Sequence, residues 1–103
     1  MKTNKINLKD NKIISAVLRV VFYQDSEDGD IVIARCNALN LATHGDDLAH
    51  AMKMFDECFC LWVETVNDYN EAKGTLKELG WEINQDTAVY RASINYEINK
   101  IKE

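Results

Sequence analysis

The chain has 103 residues, of which 47% are hydrophobic and 28% charged, and its formal net charge at pH 7 is −5. This length suits one domain with its own core and is too short for two. No apolar run approaches the roughly 20 residues of a membrane span, and no signal-peptide pattern opens the chain, so we expect a cytoplasmic protein. The acidic balance argues against a broad nucleic-acid-binding face. The negative net charge is compatible with docking onto a basic protein. The alternative is that this charge only keeps the protein soluble.

The N-terminal region predicts an arm followed by a strand. Residues 1–12 are polar, carry four lysines and show no sustained period, so we expect a flexible arm, or at most an edge strand around Ile6 and Leu8. Residues 13–23, IISAVLRVVFY, are rich in β-branched and aromatic side chains and predict the first strand. Both of its faces are apolar apart from Arg19.

The next segment predicts two more strands in meander order. Residues 24–30, QDSEDGD, form an acidic turn whose Asp-Gly pair supplies the positive φ that a tight hairpin needs. Residues 31–36, IVIARC, predict the second strand, and residues 37–44 bend into a short third strand that Gly45 ends. The expected core is therefore a three-stranded antiparallel meander.

Residues 43–69 predict one long amphipathic helix together with the turn that starts it, and Asp46 is the predicted N-cap. One apolar stripe recurs at steps of three or four: Leu48, Met52, Phe55, Phe59, Trp62, Val66 and Tyr69. The full apolar arc is broader than one packing surface requires, which indicates a second contact, and we predict a homodimer. The residues assigned to that interface come from the helix and from the C-terminal tail: Met54, Cys58, Leu61, Tyr90 and Ile94.

The C-terminal part predicts a short helix and a strand. Residues 70–83 give a second helix, loosened near Gly74 and closed by Gly80 in the left-handed conformation. Residues 87–98 alternate apolar and mostly polar side chains, which predicts a strand that completes the sheet of its own subunit or extends a partner's sheet. Residues 13–103 are thus expected to form a single α+β domain.

Chemical motifs are weak throughout the chain. The three cysteines, Cys36, Cys58 and Cys60, match no disulfide framework or zinc motif, and a metal site that adds His44 or His50 to them has little support. Pairing Cys36 with His44 as nucleophile and base lacks an orienting group. The acidic turn lacks the spacing of a calcium loop. We therefore predict no catalytic residue, cofactor or metal site, and no enzyme.

The order of motifs resembles the HicB family of antitoxins over residues 15–83. The matching positions are Cys36, Ala38, Leu39, Gly45 and Asp46, with Ala51 and Trp62 in the helix. The resemblance implies a β-β-β-α-β domain like a partial ribonuclease H fold without its catalytic carboxylates. It also implies binding and neutralisation of a small HicA-type toxin that cleaves messenger RNA. Asn37 replaces the family's proline, and the tail has no DNA-binding module, so direct DNA binding is not expected.

Two surface regions are candidates for partner binding: the acidic hairpin and the turn before the long helix. The residues assigned to this role are Asp25, Glu27, Asp28, Asp30, Arg35, His44, Asp46 and Asp47. One alternative is an RNA-binding module that uses the sheet face with Arg19, Arg35 and Tyr23. A further alternative is a solitary HicB-like protein with no toxin partner.

Overall fold

The structure, a computed structural model, describes residues 4–25, 27 and 29–90. It has an α+β fold with two antiparallel sheets and two helices in the described part of the chain. The strands are β1 (Asn4–Lys9), β2 (Lys12–Val17), β3 (Val21–Gln24), β4 (Val32–Cys36), β5 (Leu41–Gly45), β6 (Glu82–Asn84) and β7 (Thr87–Tyr90). The helices are α1 (Leu48–Asp68) and α2 (Ala72–Glu78).

The predicted N-terminal arm is wrong for residues 4–12, because β1 is an interior strand of the four-stranded sheet β2-β1-β7-β6. Ile6 and Leu8 are both buried in the core, while the flanking Lys5 and Lys9 are exposed. Two apolar residues among lysines give a weak strand signal on their own. The pairing with β7, far away in the sequence, makes this segment a strand.

The hairpin between β1 and β2 attaches the sheet to the helices. Asp10 and Asn11 have φ values of 55° and 61°, as the central residues of a type I′ turn require. The Asn11 side chain donates from Nδ2 to Asn70 O at 2.6 Å and accepts from the backbone N–H of Lys73 at 3.0 Å. It thereby joins the end of α1 to the start of α2.

The predicted first strand, residues 13–23, divides into two strands that belong to different sheets. Its first half, β2, pairs with β1, and its second half, β3, pairs with β4. Residues 18–20 link them, and the Arg19 backbone N–H donates to Asn4 Oδ1 at 2.6 Å. Because this segment is apolar on both faces, both halves can contribute to the core while their partner strands differ.

The predicted meander is confirmed in the three-stranded sheet β3-β4-β5. Residues 37–40, placed in the third strand by the sequence, form a turn instead, so β5 begins at Leu41. Ala34 and Cys36 are buried on the face that α1 covers. At the β5–α1 junction, a Cβ added to Gly45 would meet the backbone of Ala51 and His50, so strand and helix approach at their backbones.

Helix α1 is confirmed, but its cap and its buried face differ from the prediction. Asp47, not Asp46, is the N-cap: its carboxylate accepts from His50 N–H at 2.8 Å. The buried residues are Ala51, Phe55 and Val66, whereas the predicted stripe residues Leu48, Met52 and Tyr69 are exposed. The strands reach only part of the helix, so a regular apolar stripe is covered only in its middle.

Helix α2 runs through Gly74 without a break, contrary to the predicted loosening there. Gly80 ends it as predicted, with φ of 97°. Gly80 N–H donates to Lys77 O and Trp81 N–H to Leu76 O, the two bonds of a Schellman motif. The buried Trp81 ring then donates from Nε1 to Ala38 O at 2.7 Å, which connects this segment to the turn after β4.

The predicted C-terminal strand is confirmed over Thr87–Tyr90, where β7 pairs with both β1 and β6. In this part it completes the sheet of its own chain. The remainder of the predicted strand, residues 91–98, lies outside the described residues. Neither of the described helices combines the length and apolarity that crossing a membrane requires.

Candidate functional site

The two acidic turns singled out in the sequence lie at the same end of the three-stranded sheet. The register pairs Gln24 with Val32, and Val32 with Gly45. The β3–β4 hairpin and the β5–α1 turn are therefore neighbours in space. We call this region the acidic end, defined by the described residues Asp25, Glu27, Asp30, Asp46 and Asp47.

Local backbone bonds shape the hairpin part of the acidic end. Asp25 N–H donates to Ile31 O at 2.9 Å and closes the loop. The Asp25 carboxylate accepts from Glu27 N–H at 3.1 Å, an Asx turn that fixes the start of the loop. Glu27 and Asp30 are exposed residues of this loop. Asp28, also assigned to this site, lies outside the described residues.

The second turn holds one carboxylate for the helix and leaves another exposed. Asp47 caps α1, whereas the Asp46 side chain is 93% exposed. Asp46 contributes its backbone N–H, which donates to His50 Nδ1 at 2.9 Å. His50 Nδ1 accepts in this contact and also lies 3.8 Å from Asp46 Oδ2. Asp46 is the carboxylate of this turn that a partner can reach without disturbing the helix cap.

The outer face of the sheet, turned away from α1, adjoins the acidic end. The register places Tyr23, Ile33 and His44 in one row across β3, β4 and β5. His44 thus lies near the acidic turns, as expected. Arg35 is three residues beyond Val32, the first residue of β4, so it lies roughly 10 Å from the acidic end at the usual rise per residue. Its Nε donates to Asn37 Oδ1 at 2.9 Å, so the structure separates Arg35 from the acidic residues with which it was grouped.

The residues assigned to a dimer interface lie on α1 and β7 in the described chain. Met54 and Cys58 are half-buried and Leu61 is 65% exposed along one side of α1. Tyr90 packs on Trp81 of its own chain, with ring centroids 5.6 Å apart. Ile94 lies outside the described residues. The dimer stays a prediction.

The cysteine and histidine that could have formed a nucleophile and base point to opposite faces of the sheet. Cys36 lies on the buried face with Ala34, whereas His44 pairs with Ile33 on the outer face. Burial raises the pKa of the Cys36 thiol, and hydrogen bonds with the backbone of Leu39 and Ala38 offset this only in part. Cys36 therefore stays a protonated core residue at neutral pH.

The histidine, cysteine and acidic side chains of the described chain lack metal-binding geometry. Among the residues that the structure describes, no three His, Cys, Asp or Glu side chains are grouped so that they could hold a metal ion. The carboxylates of the acidic end are spread along two turns. Their arrangement favours long-range attraction of positive charge over coordination of an ion.

Sequence reasoning missed the contacts of two residues, one at the acidic end and one near the opposite end of α1. One is His50, whose position four residues after Asp46 could have indicated a contact across the first helical turn. The other is Asn67, which bonds the backbone of β2 and has no local sequence signal, because its partner is far away along the chain.

Comparison with known proteins adds no relative: no protein-family model matches the sequence, and neither a curated protein nor a solved structure matches the chain.

Proposed function

We propose that this chain is a non-enzymatic, cytoplasmic interaction protein of HicB type that neutralises a small basic HicA-type toxin. The observation that carries the proposal is the acidic end. Two turns distant in sequence present their carboxylates together, and neither turn contains a lysine or arginine. The resemblance of residues 36–46 to HicB proteins supports this class of partner.

The proposed mechanism is occlusion of the toxin's RNA-binding surface. A protein that cleaves messenger RNA needs basic side chains to hold phosphates. The carboxylates of the acidic end attract such a surface and speed encounter, while the adjoining outer face of the sheet supplies contact area. Gly45 packs closely on the first turn of α1 and pairs with Val32 at the start of β4, so the second acidic turn is held beside the sheet end that carries the hairpin. Little ordering is then required when the partner binds.

Binding to the product of a neighbouring small basic reading frame tests the proposal. Glu27→Gln and Asp46→Asn remove exposed charges without touching the helix cap. The double variant should weaken binding by roughly three- to tenfold at low salt, and the difference should shrink at high salt. Glu71→Gln combined with Glu78→Gln, both exposed at α2, removes the same number of charges and is the control for net charge. Full binding by the double variant, or no binding by the original protein, contradicts the proposal.

A second candidate is an RNA-binding module that uses the outer face. Tyr23 is 45% exposed on this face, and Arg35 shares it one row away. An exposed aromatic ring beside a guanidinium suits base stacking. Fluorescence anisotropy with a single-stranded RNA should show affinity that falls steeply with salt and is reduced in Tyr23→Ala. A flat salt response removes this candidate.

A further inference from the structure

A narrow groove runs between β2 and the second half of α1, on a different part of the molecule from the acidic end. It is lined by residues 13–16 of β2 and by Phe59, Cys60, Val63 and Glu64 of α1. Its volume is about 260 Å³. This lies below the roughly 300–1,000 Å³ of small-molecule pockets, so the size suits one or two side chains of a polypeptide.

The strand that forms one wall of the groove is an open sheet edge. Among the strands that the structure describes, β2 pairs with β1 alone. At Ile13 the Asn67 carboxamide accepts from the backbone N–H at 2.8 Å and donates to the carbonyl at 3.2 Å. It thus makes the bonds that a further strand would make. Past Ile13 the edge continues with Ile14 and Val17, which are 61% and 67% exposed.

Such an edge is where another chain adds as a strand. A register shift opposite Asn7 and Leu8 leaves Ile14 as an extra residue in β2. This irregularity disturbs regular pairing with any added strand, because bulges bend and twist an edge strand. An added segment therefore makes few backbone bonds here, and it needs side-chain contacts in the groove to support them.

The helical wall of the groove sets the charge of its occupant. Asp56, Cys60 and Glu64 follow one another at steps of four, so they form one row along the helix. Both carboxylates are exposed, and Glu64 lines the groove itself. The floor beneath them, with Phe59 and Val63, is apolar. A side chain entering the groove should therefore be apolar, and one at the rim should be cationic.

We propose that the β2–α1 groove binds an extended segment of a protein partner by strand addition to β2. The segment carries an apolar side chain that packs on Phe59 and Val63, and a lysine or arginine two residues away that pairs with Glu64. Side chains two residues apart in a strand point to the same face, which meets both requirements. This binding site is separate from the acidic end and does not depend on the function proposed above.

The test uses the full chain labelled with nitrogen-15 and the peptide TVTKTVTK, with TVTETVTE as the acidic counterpart. Titration with the lysine peptide should shift the amide signals of residues 14–17 and 59–64. The lysine peptide should bind about tenfold more tightly than the glutamate peptide. Backbone N-methylation of alternate residues in the lysine peptide should abolish binding, because it removes the donors needed for strand pairing.

Charge reversal then identifies the rim residue. Glu64→Lys should invert the preference, so that the glutamate peptide binds more tightly. Glu78→Lys, an equal change of net charge on α2, should leave the preference unchanged. Equal binding of both peptides, or unaltered binding of the N-methylated peptide, overturns the proposal.

The remaining outcomes also decide against it. Shifts confined to the acidic end would reject the groove while leaving the function proposed above intact. Concentration-dependent shifts in the groove without peptide would identify a second copy as its occupant. Nuclear Overhauser contacts from residues 91–103 to Phe59 or Val63 would identify the chain's own C-terminal segment.

Discussion

Gly45 lies at the contact between β5 and α1, whereas Gly74 is exposed within α2. Alanine substitution at these two positions should therefore have opposite effects on the stability of the protein. A Cβ at Gly45 would lie 2.7 Å from His50 C and 2.8 Å from Ala51 Cα, and closer still to Ala51 N. All three atoms belong to the backbone of the first helical turn, so no side chain can rotate away. Gly45→Ala therefore forces α1 to separate from the sheet.

The magnitude follows from the size of that displacement. Bringing these contacts to an ordinary 3.4 Å requires a movement of several tenths of an ångström to about 1 Å. Overpacking of this kind costs about 1–3 kcal/mol. In a domain of this size such a loss corresponds to a melting temperature lower by roughly 4–8 °C per kcal/mol.

Gly74 is the matched control. It lies exposed within α2, and a Cβ there would meet nothing within 4 Å. Gly74→Ala should stabilise the protein by about 0.5–1 kcal/mol, because alanine restricts the unfolded chain and favours helix. Urea unfolding followed by circular dichroism measures both variants. A Gly45→Ala variant as stable as the original protein would refute the close approach of α1 to β5.

Three further variants test the contacts between distant elements. Asn67→Ala should lower the free energy of unfolding by about 1–3 kcal/mol, because the backbone of Ile13 loses both bonds to the carboxamide; a change within error in urea unfolding would contradict this. Trp81→Phe should cost a similar amount, about 1–3 kcal/mol, since the Ala38 carbonyl loses its buried donor, and the same assay with no loss would reject that bond. Burial raises the pKa of the Cys36 thiol in the folded chain, so the unfolded chain releases this proton first as pH rises. Burial of the neutral thiol therefore favours the folded state fully below the ordinary thiol pKa, and this preference is lost as pH rises through the raised pKa. Stability measured from pH 8 to 11 should therefore fall more steeply in the original protein than in Cys36→Ala, and parallel curves would exclude the effect.

Local sequence patterns were sufficient where short-range chemistry dominates. The meander of β3, β4 and β5 follows from alternating apolar residues separated by a polar turn. The positive φ predicted for the Asp-Gly pair is not found at Gly29. The end of α2 follows from Gly80, because a left-handed residue there costs glycine little. In the candidate site, the acidic residues and the neighbouring His44 were identified from composition and turn position alone.

Errors occurred where long-range pairing decides between local alternatives. The N-cap prediction chose Asp46 over its neighbour, although only the observed path of the chain shows which carboxylate reaches His50 N–H. The arm prediction missed β1, whose strand conformation depends on β7. The sequence grouped Arg35 with the acidic residues, whereas the strand register places it further along β4; its role in partner binding stays a prediction.

The sequence by itself determined both helices, the three-stranded meander, the helix-and-sheet class and the acidic character of the two turns, because these depend on periodicity, turn residues and charge. Only the tertiary structure decided that one apolar segment serves two sheets, that the two acidic turns meet, and that β2 and α1 enclose a groove. Each of these features depends on contacts between residues far apart in the chain, which no local pattern encodes.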